Sequence, residues 1–288
     1  MSGHASVGQN AAFPFHRNLR NGSDLVKTIS IINLKGGVAK TVTAVSMAHI
    51  LAHYHGERVL LVDNDKQGNA SKTFGVHSYA HDSLSELLTD RRIDPHSVIR
   101  KTAYDGIDII PANMTLLKAN LEIMMDSTRP QQTRLRSALH SVAEEHDYCI
   151  IDNAPDINIS TINALVASDD VIIPIKIDEY AFDGLQELTE QISNTRDELN
   201  PRLRLSGCLV TCFQRTESDR QGEAYLRTKT DYPIFQTHIR YSEKVVESTF
   251  ARLPIAEYSR RSGAAADYIA FVKEYLASGQ KGAEHGQV

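Results

Sequence analysis

Cysteine is scarce in this chain. Three occur in 288 residues, Cys149, Cys208 and Cys212, each in an apolar segment with strand character. An odd count in such places argues against a disulfide framework and for reduced thiols in a cytoplasmic protein. Long apolar runs are missing as well. None approaches the roughly 20 residues that span a bilayer, and residues Met1 to Asp24 lack the apolar core of a secretory signal. An excess of positive charge is also absent: 31 Lys+Arg against 36 Asp+Glu give a formal charge of −5. That balance does not announce a nucleic-acid binder. The distribution says more, because Asn200 to Arg261 holds eleven basic and seven acidic residues, a local excess of four on a body carrying −9. A basic patch on an acidic body points to a polyanion partner. There is no internal repeat and no long linker.

What remains is enough to fold: 41% of residues are apolar, which suffices for a packed core. Short, mostly continuous apolar runs lie at Thr28–Leu34, Val59–Val62, Ile107–Ile110, Tyr148–Ile151, Val171–Ile177, Leu205–Thr211 and Ile234–Ile239. Continuous runs are expected of strands buried on both faces. Helical patterns alternate with them at Val42–His53, Asn113–Met125, Thr133–Glu145, Ile159–Ala167, Phe182–Leu199 and Ala264–Leu276. The alternation predicts a single α/β domain with a mostly parallel twisted sheet flanked by helices, from residue 26 to 278. Residues 1–25 read as a loose arm and 279–288 as a frayed tail. The stretch Thr73 to Asp105 is less regular and reads as an excursion near the top of the sheet.

The most specific feature follows the first strand. Lys35-Gly36-Gly37-Val38-Ala39-Lys40-Thr41 runs from an apolar strand into a helix beginning with Val42. Glycines let successive N–H groups face one anion, and the helix aims its positive end at the same point. Lys40 is placed to supply charge to the β- and γ-phosphates, and the Thr41 hydroxyl to bind magnesium. The ordinary pattern, Gly-x-x-x-x-Gly-Lys-Ser/Thr, fails at Leu34 and Ala39, whereas Lys-Gly-Gly-x-x-Lys-Ser/Thr fits. A methyl group at Ala39 is harmless at negative φ and strained at positive φ; the variable position in that pattern predicts tolerance. Two further strands end in acids: Val59-Leu-Leu-Val-Asp63-Asn-Asp65-Lys66-Gln-Gly-Asn69, and Tyr148-Cys-Ile-Ile-Asp152-Asn-Ala154-Pro155. Carboxylates at the carboxyl ends of parallel strands sit where ligands bind.

These three elements resemble the ParA/MinD group of P-loop ATPases over about Lys27 to Leu276, most closely its ParA partition branch. Lys66, where a proline is usual, and Ala154, the first of two usual prolines, depart from it. The resemblance implies a P-loop NTPase fold and an ATPase that uses ATP and magnesium. It implies a cofactor-binding loop formed by Lys35, Gly36, Gly37, Val38, Ala39, Lys40, Thr41 and Val42. Magnesium would be held by Thr41 and by Asp152 through water, with Asp63 as a further candidate. Catalytic roles fall to Lys40 on the β/γ-phosphates, to Asp65 on the attacking water, and to Lys35 reaching across an ATP-dependent homodimer. The same resemblance implies slow, partner-stimulated turnover, non-specific binding to nucleoid DNA and a ParB-like centromere-binding adaptor for a plasmid or chromosome. Arg240, Lys244 and Arg252 are the candidate DNA contacts, followed by Arg215, Arg220 and Arg260.

Alternatives compete with this reading. A MinD-like ATPase would act on a membrane, but the last helical pattern lacks the cationic face that anionic lipid favours. A relative that positions protein cargo stays open, as does a small-molecule ligase or iron–sulfur reductase of the same superfamily. His49 and His53, one helical turn apart, read as a partly exposed helix face. Phe13, Phe15, Arg17 and Arg20 make the N-terminal arm a possible docking segment.

Overall fold

The computed structural model describes residues 26–178 and 181–284; the expected N-terminal arm lies outside them. The chain opens with β1 (Lys27–Ile31), α1 (Lys40–His55), β2 (Val59–Asn64) and α2 (Asn69–Thr73). Short elements follow: α3 (Leu84–Thr89), α4 (Pro95–Val98), β3 (Arg100–Lys101), β4 (Ile107–Ile110), α5 (Thr115–Met125) and α6 (Arg134–His140). The second half holds β5 (Tyr148–Asn153), α7 (Ile159–Ala167), β6 (Asp170–Lys176), α8 (Ala181–Glu198), β7 (Arg204–Thr211) and α9 (Glu217–Lys229). It closes with α10 (Glu243–Ala251), α11 (Ile255–Tyr258) and α12 (Gly263–Glu284).

Seven strands form one sheet in the order β3-β4-β2-β5-β1-β6-β7. Every pairing is parallel except that of β3 with β4 at the edge. The continuous apolar runs explain this, since β1, β2, β4 and β5 are almost wholly buried and need cover on both faces. One face packs Ile29, Ile31, Leu61 and Ile150 against α1 and α12, whose Tyr268 and Phe271 are fully buried. The opposite face packs Leu60, Val62 and Ile151 under α3, α5, α6 and α7. Each large side chain so buried contributes about 1.5–3 kcal/mol. α1 is covered nearly all round from Thr43 to Ala52, beyond the single stripe its pattern suggested, because α11 and α12 lie against it.

Several boundaries differ from expectation. Ile234–Ile239 is no regular strand. It follows β7 through isolated bridges at Cys208–Ile234 and Phe213–Arg240, with Ile239 N–H bonded to the Val210 carbonyl. The irregular excursion contains α3, α4 and the edge strand β3; α3 starts in a capping box between Ser83 and Glu86. The last helix runs through Gly279 to Glu284 instead of fraying after Ser278.

Candidate nucleotide site

The phosphate loop joins β1 to α1 at the carboxyl end of the sheet. Asn33 stiffens its entry: its amide donates to the Pro174 carbonyl at 2.8 Å, and its oxygen accepts from the Lys35 N–H at 2.9 Å. Thr211, at the end of β7, donates to the Val38 carbonyl at 3.1 Å and pins the middle of the loop. Gly37 has φ 73°, and a Cβ built on Gly36 or Gly37 would meet no atom within 4 Å, so the chain leaves an open cradle there. No side chain caps the start of α1, leaving its first-turn amides for an anion.

Ala39 stands at that helix start with φ 62° and ψ 30°, a left-handed conformation. The negative φ under which its methyl would be harmless is therefore not the one adopted. The loop holds a strained residue where glycine would relax it.

Register brings the acids together. Asp63 of β2 lies beside Asp152 of β5, which lies beside Ile31 at the end of β1. Asp152 is 0% exposed and neither of its oxygens has a hydrogen-bond partner among the described residues. Burial, then the neighbouring Asp63, pushes its carboxyl well above the ordinary range; the Thr41 hydroxyl and Lys40 pull it back. Asp63 is raised to about 6, mainly by burial, against hydrogen bonds from Ser71. Those bonds come from the Ser71 N–H and hydroxyl at 2.8 and 2.6 Å, so Asp63 fastens α2 and is already occupied. Lys40 is buried with its Nζ donating to the Lys35 carbonyl at 2.8 Å. Burial lowers its pKa, opposed by Asp152, Asp65 and Asp156. Asp65 accepts from the Gln67 N–H at 2.9 Å.

An orphaned, fully buried carboxylate beside a hydroxyl, a buried lysine and an empty amide cradle fits a magnesium ion with a polyphosphate. Thr41 and Asp152 are the residues suited to the ion. Lys40, Thr41, Asp63, Asp65 and Asp152 lie together at the carboxyl end of the sheet. Lys35 instead forms an ion pair with Asp178, just past β6. Sequence reasoning missed Asp178, Ser71 and Asn33. Asp178 lies 143 residues away from its lysine, and no motif links the two.

The leading candidate DNA contacts lie on and beside α10. Arg240 grips Asp267 with two hydrogen bonds at 2.7 and 2.8 Å, and Lys244 pairs with Glu247 at 2.7 Å. Arg252 closes α10 in a left-handed conformation. Of the histidine pair, His49 is buried and stacks at 5.3 Å on His53, which is exposed, so the pair forms a partly exposed helix face.

Known proteins can be set beside this geometry. The AAA domain family model matches residues 26–205. The sporulation initiation inhibitor protein Soj of Bacillus subtilis is 36% identical over 259 residues, covering 88% of this chain and 99% of Soj. The chromosome partitioning protein ParA of Myxococcus xanthus is 33% identical, with 92% and 93% covered. The chain belongs to the ParA family of P-loop partition ATPases. Among solved structures, a cobyrinic acid a,c-diamide synthase from Mycobacterium smegmatis with a bound ATP analogue and magnesium superposes with a TM-score of 0.77. Its identity is 28%, with 89% of this chain and 97% of that one covered. McdA from Cyanothece, 22% identical with a TM-score of 0.78, covering 87% and 99%, shares the fold. The ParA assignment accounts for the deviant loop: Lys35 precedes the two glycines, and Ala39 occupies the variable position.

Proposed function

We propose that this protein is a dimerising switch, closed by ATP and reset by slow hydrolysis to ADP and phosphate. It binds nucleoid DNA without sequence preference and partitions a plasmid or chromosome through a ParB-like adaptor. The observation that carries the reading is Asp152, a buried carboxylate left open beside a phosphate loop. A carboxylate that served only the fold would be paired.

Bound ATP with magnesium supplies the phosphoanhydride bond to be broken. The chain's own groups do the rest. The loop amides and Lys40 hold the phosphates and neutralise charge as it develops. Thr41 and Asp152 would hold the magnesium ion, which would supply positive charge to the phosphates. Asp65 orients the attacking water and takes its proton. Lys35 leaves Asp178 and reaches the nucleotide of a second protomer, adding charge where the transition state needs it. ATP thereby joins two protomers and hydrolysis separates them.

Arg240, Lys244 and Arg252 are the phosphate contacts in this reading. Arg240 and Lys244 would exchange an internal carboxylate for a DNA phosphate, so affinity falls steeply with salt. The partition role draws support from relatives named chromosome partitioning protein ParA. No helix among the described residues is long and apolar enough to cross a membrane. On α12, three acids (Asp267, Glu274 and Glu284) accompany two lysines (Lys273 and Lys281), which gives anionic lipid no net cationic helix and disfavours the membrane-acting alternative.

Calorimetry tests the core of this proposal. Wild type should take up ATP only with magnesium, and Lys40→Ala should take up none. Lys35→Ala should keep measurable uptake yet show no ATP-dependent doubling of mass in light scattering; unchanged dimerisation would refute its role.

A further inference from the structure

A cavity of about 360 Å³ lies between α1, α2 and the corner where α10 meets α11. Val45, Leu253 and Pro254 give it an apolar wall. Deeper in stands Ser46, 1% exposed, whose Oγ has no hydrogen-bond partner. The charged residues that line the cavity are Lys72 and Arg252, and no carboxylate lines it. The two cations converge near His77, whose pKa is lowered by burial first and then by the charges of Lys72 and Arg252.

We propose that this cavity binds a small organic anion, an apolar body carrying one phosphate or carboxylate head, at a site that adjoins the nucleotide loop at Thr41 and Val42. The volume falls within the roughly 300–1,000 Å³ of small-molecule pockets. The aliphatic wall takes the body, the two cations take the head through charge-assisted hydrogen bonds, and the Ser46 hydroxyl gains the partner it lacks. A duplex phosphate fits worse, because a backbone lying on the protein surface does not reach a side chain as enclosed as Ser46. The occupant would touch Thr41 on one side and α2 on the other. α2 begins four residues after Asp65, so occupancy shifts the hydrolysis rate. That consequence, unlike binding itself, rests on the nucleotide reading.

The test is calorimetric titration of phenyl phosphate and, separately, benzoate into wild-type protein saturated with ADP and magnesium. ADP uptake is measured first, so failure of the nucleotide reading shows independently. One site with a Kd on the order of 0.1 mM is expected for at least one probe, and the stronger probe identifies the head group. Lys72→Met and Arg252→Met should each weaken it about tenfold by removing a charge-assisted bond, and Thr73→Trp, which fills the cavity, should abolish it. Four results overturn the proposal. They are no uptake of either probe by folded, ADP-bound protein, uptake unchanged in Lys72→Met, uptake seen only without ADP, and displacement of the probe by random duplex DNA. The last would make the cavity a DNA contact.

Discussion

The two ends of the sheet treat buried carboxylates in opposite ways. At the amino end, Asp170 receives Lys27 at 3.2 Å, Arg204 at 3.0 Å and the Tyr275 hydroxyl at 2.7 Å. Asp108 there receives Lys101 at 2.8 Å and His146 at 3.0 Å. Burial is the largest influence on both and pushes their pKa values up, yet the partners together outweigh it and hold them below the ordinary range. At the carboxyl end, Asp63 and Asp152 are raised, and Asp152, with the Thr41 hydroxyl nearby, has no hydrogen-bond partner in good geometry among the described residues. All four are buried, the pair at the carboxyl end most completely, and their company differs. The amino end is finished by the chain itself, whereas the carboxyl end is where the proposed magnesium ion would complete Asp152.

The sharpest way to break this comparison is Asp152→Asn. Turnover of ATP should fall by about two orders of magnitude or more, while thermal unfolding should show a gain of about 1–3 kcal/mol from removing an unsatisfied buried charge. A lower melting temperature would mean that Asp152 is structural after all. Asp170→Asn should do the reverse. It leaves Lys27 and Arg204 facing a neutral amide and should cost about 3–5 kcal/mol in urea unfolding, with ADP affinity of the folded protein unchanged.

His49 extends the contrast to a base. Burial, then the neighbouring His53, lowers its pKa to about 4; neither ring nitrogen has a hydrogen-bond partner among the described residues, and Glu257 approaches Nε2 only to 3.9 Å. The unfolded chain takes up this proton near its ordinary value of about 6.5, while the folded one refuses it until about 4. The contribution is therefore full above the higher value and is lost as pH falls toward the lower, by about 3 kcal/mol in all. His49→Leu should flatten that part of the stability profile in denaturant titrations from pH 7 to 4. The smallest effect is expected at Ala39→Gly. Relief of the positive φ should raise stability by about 1 kcal/mol, with ADP affinity, read by calorimetry, unchanged.

Much of this was legible beforehand because the informative signals are local. Continuous apolar runs mark β2, β4, β5, β6 and β7 to within a few residues, and the loop from Lys35 to Thr41 is a contiguous pattern. Non-local pairings left no such trace. Nothing near Lys35 names Asp178, and nothing near Asp63 names Ser71. α9 and α10 escaped the periodicity because each buries little: Leu226 in the first and Ser248 in the second. Ile234–Ile239 looks like a strand by composition, yet its ladder to β7 is interrupted, so an apolar run gave a bridge and a bend. Ala39 shows a different limit: the motif tolerates any residue there, but only coordinates disclose the backbone angle it must adopt.

The hydrogen bond between the Thr43 and Tyr268 hydroxyls, at 3.2 Å, joins residues 225 positions apart in a fully buried setting. Thr43 is two residues beyond Thr41. During synthesis, the helix carrying the phosphate loop therefore stays partly uncovered until α12 has emerged. Nascent fragments that end before α12 have every loop residue and no finished wall behind it.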